Sequence, residues 1–137
     1  MDRINDNIYL GDRDDARLLY IKKSPVTAIL NVAREVPLEK HRNVVSVKSG
    51  MEDTAEDARQ KTQAAVDALK ELIDDGHVVL VHCRHGKSRS PHVIATYLSQ
   101  KYNQNYDDCY EFIRNKRPKV ISYSMGQEIK DKFGNNS

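Results

Sequence analysis

Short apolar runs alternate along the chain with longer stretches of helical spacing. Ile8-Tyr9-Leu10, stopped by Gly11, predicts a short strand. Asp12 or Asp14 can cap a following helix, with Ala16, Leu19 and Tyr20 at core spacing. Ser24-Pro25 breaks the pattern. Val26 to Asn31 reads as a second strand, with Ile29 and Leu30 its most buried members. Ala33 to Arg42 has no clean period and contains Pro37, so it is an irregular segment. Val44, Val45 and Val47 make a third strand, and Lys48 to Asp53 a loop. Thr54 starts a long helix, with Asp57 in the reciprocal position of a capping box and Gly76 as the stop. Val66, Leu69 and Ile73 mark its inner face. Val78-Val79-Leu80-Val81 is a fourth, buried strand. Pro91 opens a helix with Val93, Ile94, Tyr97 and Leu98 inward. Tyr106, Cys109, Tyr110 and Ile113 define another, ended by Arg117-Pro118. Met125, Ile129 and Phe133 define the last, before a frayed tail from Gly134.

Strands interspersed with helices predict an α/β fold: a central mixed, mostly parallel sheet of four to five strands, flanked by helices. At 137 residues the chain is expected to be one domain over 1–137. Composition adds exclusions. A net charge of +2 is too small to argue for nucleic acid, so no such partner is expected. No apolar run is long enough to span a membrane, and the polar start Met1 to Asp6 lacks a signal-peptide core. The two cysteines, Cys83 and Cys109, fit a reducing, cytoplasmic setting. Cys109 falls on the apolar face of its helix and reads as buried packing.

The fourth strand runs into a cation-rich loop, His82-Cys83-Arg84-His85-Gly86-Lys87-Ser88-Arg89-Ser90, and then into a helix. Strand, tight loop and helix N-terminus together make an anion cradle, because loop N–H groups converge and the helix dipole adds positive charge. In open α/β sheets ligands bind at the carboxyl ends of strands, where this loop lies. The loop carries its own nucleophile, Cys83. Loop N–H groups, the helix N-terminus, Arg89 and the Ser90 hydroxyl all favour its charged form. Arg89 offers a planar fork that matches two phosphoryl oxygens. Gly86 permits the wrap of so short a loop. His82 can orient the Cys83 backbone through a ring hydrogen bond. Attack on phosphorus also needs a general acid for the leaving oxygen. Glu52, Asp53 and Asp57 compete for that role; Asp53, just before the helix, is preferred, and Asp57 reads as a first-turn carboxylate.

The loop resembles the HCxxGxxRS signature of the cysteine-dependent protein tyrosine phosphatases, and its SRSP form is similar to that of the dual-specificity phosphatases. Ile8-Tyr9-Leu10-Gly11 is similar to the family's "LYLG", and Thr27 to Ala33 to its "ITxVLNVA" strand. Asp53, thirty positions before Cys83, matches the general-acid aspartate, and Arg117-Pro118 an arginine–proline pair. Ser122-Tyr123-Ser124-Met125 stands where the family has "PNxGF". The resemblance implies the tyrosine-phosphatase fold, no metal or other cofactor, and a shallow site for phosphotyrosine and phosphoserine or phosphothreonine. Carried over, Cys83 forms a phosphocysteine, Arg89 binds the phosphoryl group, Asp53 acts as acid and then base, and Ser90 supports the departing sulfur. Backbone N–H groups of Arg84, His85, Gly86, Lys87, Ser88 and Arg89 bind phosphoryl oxygens. Phosphorylated proteins are the expected partners of a monomeric enzyme. Arg84, His85 and Lys87, with His92 just after, make the loop more basic than usual. Lys87 is similar to a lysine in relatives acting on inositol phosphates and phosphoinositides, and His85 to a histidine in RNA 5′-triphosphatases, which carry RTG in place of Arg89-Ser90-Pro91. These are the alternative substrates. A catalytically inactive phosphate-binding module is the third reading.

Overall fold

The computed structural model describes residues 1–21 and 23–132, with side chains through Glu128. Among the described residues one five-stranded sheet forms, from β1 (Asp2–Arg3), β2 (Ile8–Gly11), β3 (Ala28–Ala33), β4 (Val45–Met51) and β5 (Val79–His82). Its order is β1-β2-β5-β3-β4; β1 runs antiparallel to β2 and every other pairing is parallel. The helices are α1 (Arg13–Arg17), α2 (Ala55–Asp74), α3 (Arg89–Tyr102), α4 (Tyr106–Lys116) and α5 (Met125–Lys132). This is the mixed, mostly parallel sheet expected from the alternation of strands and helices.

Alternate strand residues face opposite sides of the sheet, and the core divides accordingly. Ala28, Leu30, Val32, Val79 and Val81 join Leu69 of α2, Ile94 of α3 and Ile113 of α4 in the larger cluster. Ile29 and Leu80 point the other way, into a smaller cluster with Ala16, Leu19 and Val26. Every residue of β3 and β5 is buried, as in strands covered on both faces.

Local signals set the helix ends. Asp12, rather than Asp14, caps α1: its Oδ1 accepts from the Asp15 N–H, and Asp15 Oδ2 accepts from the Asp12 N–H. Thr54 caps α2 by accepting from the Asp57 N–H at 3.1 Å. The expected reciprocal bond does not return to Thr54, because Asp57 Oδ2 accepts from the Glu52 N–H at 2.6 Å instead. Gly76, at φ +90°, ends α2 in the left-handed turn that glycine adopts without strain.

Two expectations change and one strand is added. Lys48 to Met51 extend β4 instead of forming a loop; their polar residues suit a strand paired on one side alone. Tyr20 is 73% exposed, because a 3₁₀ turn over Leu19–Ile21 rotates it off the core face. The β1 strand carries no apolar pattern and pairs through Asp2 and Arg3. The side chain of Ile129, Phe133 and the tail from Gly134 lie outside the described residues. Among the described residues no helix is long and apolar enough to cross a membrane.

The register places the chemistry. His82, the last residue of β5, is opposite Gly11 of β2 and Asn31 of β3. Met51, the last residue of β4, is opposite Ala33, past a shift in register after Asn31. The chain therefore leaves β5 at Cys83 and β4 at Glu52-Asp53 along the same carboxyl edge.

Candidate active site

The loop from Cys83 to Ser88 is shaped by where its carbonyls go. His82 Nδ1 bonds the Cys83 carbonyl at 3.1 Å. The Arg13 N–H donates to the Arg84 carbonyl, the Ile121 N–H to that of Lys87 and the His92 N–H to that of Ser88. Arg117 supplies the rest: Nε donates to the Gly86 carbonyl at 3.0 Å and Nη2 to the His85 carbonyl at 3.3 Å. Every carbonyl of the loop is thus turned outward onto a donor. None of the N–H groups from Arg84 to Ser88 donates to another group among the described residues. Peptide planarity ties the two facts together: carbonyls drawn outward turn the amides toward the concave side, as in other anion-binding nests.

Gly86 lets the loop close. Its φ is +67°, and a Cβ there would meet the Gly11 carbonyl oxygen at 2.6 Å and Arg117 Nη2 at 2.8 Å. Both the conformation and the space require glycine.

Cys83 sits at the mouth of β5, 3% exposed, with Sγ 3.1 Å from the Ser90 hydroxyl in the first turn of α3. Burial holds the His82 pKa below its ordinary value. The ring is therefore neutral at pH 7, and its bond to a carbonyl requires the proton on Nδ1. His82 thus acts as a fixed donor behind the cysteine, the place the strand end suggested.

Arg89, 3% exposed, divides its donors. Nη1 and Nη2 each meet a carboxylate oxygen of Glu35 at 2.6 Å, and Nη1 also donates to the Met51 carbonyl at 3.0 Å. Nε is buried and makes no hydrogen bond. Asp53 Oδ1 lies 3.9 Å from that Nε, on a carboxylate 58% exposed.

The three competing carboxylates separate by their partners. Glu52 pairs with Arg34 at 2.6 Å. Asp57 accepts from the Glu52 N–H and pairs with Lys61 at 3.1 Å; the backbone bond is the main reason its pKa is lowered. Asp53 stands over the spare edge of Arg89. The side chains of Arg84, His85 and Lys87 point to solvent, and that of Ser88 is half-buried. His92 does not add to the positive rim. It is 6% exposed between Thr62 and Tyr106, and burial pushes its pKa down to about 4. Its place on the inward face of α3 overrides its position beside a basic loop.

Two features had no local signal. Glu35 lies in the aperiodic segment after β3, and Arg117 reaches back to bond Asp2 at 2.7 Å. Ile121, just before the segment that replaces "PNxGF", supports the loop through its backbone, and the segment itself starts α5 with Ser124, whose hydroxyl accepts from the Gln127 N–H.

Residues 8–129 match the family described as dual specificity phosphatase, catalytic domain. The chain belongs to the dual-specificity phosphatase family. Human dual specificity protein phosphatase 9 is 30% identical over 118 residues, covering 83% of this chain and 31% of that protein. Mouse dual specificity phosphatase 28 is 27% identical over 97 residues, covering 70% of this chain and 60% of that one. The chain thus spans less than two thirds of these relatives. The crystal structure of human DUSP28 has the same fold, with a TM-score of 0.80 at 21% identity over 96% of this chain and 90% of that one.

Proposed function

We propose that the chain is a protein phosphatase of dual specificity, acting through a phosphocysteine. The observation that carries this reading is the cradle itself: a cysteine at the start of a loop whose carbonyls all turn outward, its sulfur 3.1 Å from a serine hydroxyl, and an arginine with a spare donor edge.

The Cys83 thiolate attacks phosphorus as the bond to the leaving oxygen breaks, and Asp53 gives that oxygen its proton. The amides of Arg84 to Arg89 and the Arg89 fork hold the three phosphoryl oxygens and take up charge spread over them in the transition state. Water then attacks the phosphocysteine and passes a proton to Asp53. The sulfur leaves as thiolate, stabilised by the Ser90 hydroxyl, and inorganic phosphate is released. The protons balance over the cycle, with Asp53 returned to its starting form.

Phosphorylated proteins are the proposed substrates, with phosphotyrosine and phosphoserine or phosphothreonine both admitted. The family and its relatives support this choice over inositol phosphates or RNA 5′ ends. The whole of 1–137 is read as one catalytic domain working as a monomer. Two free, buried thiols, Cys83 and Cys109, fit a cytoplasmic setting. Hydrolysis of an aryl phosphate tests the reaction: wild type turns over and Cys83→Ser does not. If both are equally inert, the enzyme reading fails.

A further inference from the structure

We propose that a groove at the amino edge of the sheet, opposite the catalytic loop, is a docking surface for an acidic segment of a protein partner with an apolar side chain as its anchor. The groove lies outside the cleft around Cys83, so the segment needs no phosphate to bind.

The groove follows from how unevenly the sheet is covered. The larger cluster lies between one face and the long helices α2, α3 and α4. The other face carries α1, of five residues, the 3₁₀ turn Leu19–Ile21 and the segment before β4. So short a cover leaves one end of the smaller cluster open. A groove of about 470 Å³ remains there, lined by buried Leu19 and Val26 and by Tyr20, Val44, Lys40 and Arg42. Its walls are held. His41 Nε2 donates to the Ala16 carbonyl at 2.6 Å, which ties the segment before β4 to α1. The same ring lies 5.9 Å from that of Tyr20. A groove with fixed walls loses little freedom when it is filled.

Its rim is apolar and cationic. Tyr20 and Ile21 end the 3₁₀ turn and Val45 opens β4, and all three are exposed. Single exposed apolar residues are ordinary, but a cluster around a hollow marks a contact surface. The cations give the sign of the partner. Lys23, Lys40 and Arg42 are exposed, and none pairs with a carboxylate among the described residues. By contrast Arg3, Arg17, Arg34, Lys61, Lys70 and Arg114 each pair with one. No carboxylate lines the groove; Glu39, next to Lys40 in sequence, lines a separate hollow with Arg13 and Arg17. Spare cations around an apolar hollow fit a chain with acidic side chains and one apolar side chain to fill it. An anionic bilayer would meet the same charges, but a flat surface leaves the hollow empty. The groove adjoins Val26 and Val44, just before β3 and β4, whereas Cys83 and Asp53 follow the carboxyl ends of β5 and β4. The length of a strand puts about 15–20 Å between the two edges.

The probe is a fluorescent, unphosphorylated peptide with glutamates on both sides of a Leu-Phe pair, titrated with the whole chain and read by anisotropy. Its Kd is expected on the order of 10–100 μM, weakening as salt rises. Lys40→Glu combined with Arg42→Glu should weaken it about tenfold or more, and Tyr20→Ala about threefold or more. These three side chains are exposed, so the thermal midpoint and aryl phosphate hydrolysis should match wild type. The same peptide with lysines for glutamates should not bind. The glutamate peptide should not inhibit aryl phosphate hydrolysis, because the basic rim of Arg84, His85 and Lys87 stays free. No binding, or binding unchanged in the doubly substituted chain, overturns the proposal. So does inhibition competitive with the aryl phosphate, which would put the acidic chain at the catalytic rim. Binding to vesicles of anionic lipid with none to the peptide overturns it as well. Anisotropy needs no turnover, so an inert wild type would sink the phosphatase reading and leave this one standing.

Discussion

Two buried arginines meet the same loop, and they differ in what is left over. Arg117 and Arg89 are each 3% exposed, and each hydrogen-bonds one carboxylate, Asp2 or Glu35. Arg117 gives Nε and Nη2 to the carbonyls of Gly86 and His85. Arg89 gives its end-on fork to Glu35 and keeps Nε free of any hydrogen bond. Arginines of equal burial therefore divide into one whose donors are spent on the loop and one with a donor edge to spare, the proposed phosphoryl binder. Burial and charge do not tell them apart; the count of donors already used does.

The largest effect should come from exchanging one property at each. Arg89→Lys keeps the charge and loses the fork, so kcat/KM should fall about a hundredfold to a thousandfold with little change in thermal midpoint. Arg117→Met should do the reverse. It strands two loop carbonyls and Asp2, costing about 2–3 kcal/mol of stability, while the folded fraction keeps most of its rate. Urea unfolding beside steady-state kinetics gives both numbers. Equal losses of rate in the two variants would erase the distinction.

A second contrast is between two carboxylates of neighbouring turns. Asp53→Ala should slow hydrolysis of phenyl and alkyl phosphates about a hundredfold or more, with little effect on a leaving group that needs no proton. Asp57 holds the Glu52 N–H and Lys61, so Asp57→Ala should lower the thermal midpoint slightly and leave the leaving-group dependence alone. The opposite pattern in a series of aryl phosphates would move the acid to Asp57.

The last effect appears only below neutral pH and concerns the support behind the loop. The His92 pKa is about 4 in the fold against 6.5 unfolded, so the unfolded chain binds the proton first. Stability is fully present above pH 6.5 and is lost as pH falls toward 4, by about 3 kcal/mol in all. Thermal midpoints across that range should fall more steeply for wild type than for His92→Gln. Parallel curves would show that His92 is not the titrating group.

What was legible in the chain follows from how local each signal was. The strand, loop and helix around Cys83 lie within one continuous stretch, so spacing alone exposed Cys83, Arg89, Ser90 and their order. Asp53 was within reach because it precedes a capped helix at a strand's carboxyl end. Glu35 was not, because an ion pair between positions 54 apart leaves no period and falls in a segment without one. The link from Arg117 to Asp2 is longer still, and Asp2 looks like ordinary polar surface. His92 was misplaced for the opposite reason. Its neighbours in sequence are cations, and its neighbours in space are Thr62 and Tyr106. The extent of β4 was underestimated because polar residues on an edge strand carry little of the alternation that marks a buried one.

The central claim is that Cys83 takes the phosphoryl group onto its sulfur. Acid quench during turnover of an aryl phosphate, followed by mass spectrometry of the peptide containing Cys83, tests it directly. The account predicts that this peptide gains the mass of one phosphoryl group, that Asp53→Ala alters how much accumulates, and that Cys83→Ser shows no phosphocysteine. Turnover with the phosphoryl group never found on Cys83, or found on another residue, would contradict it.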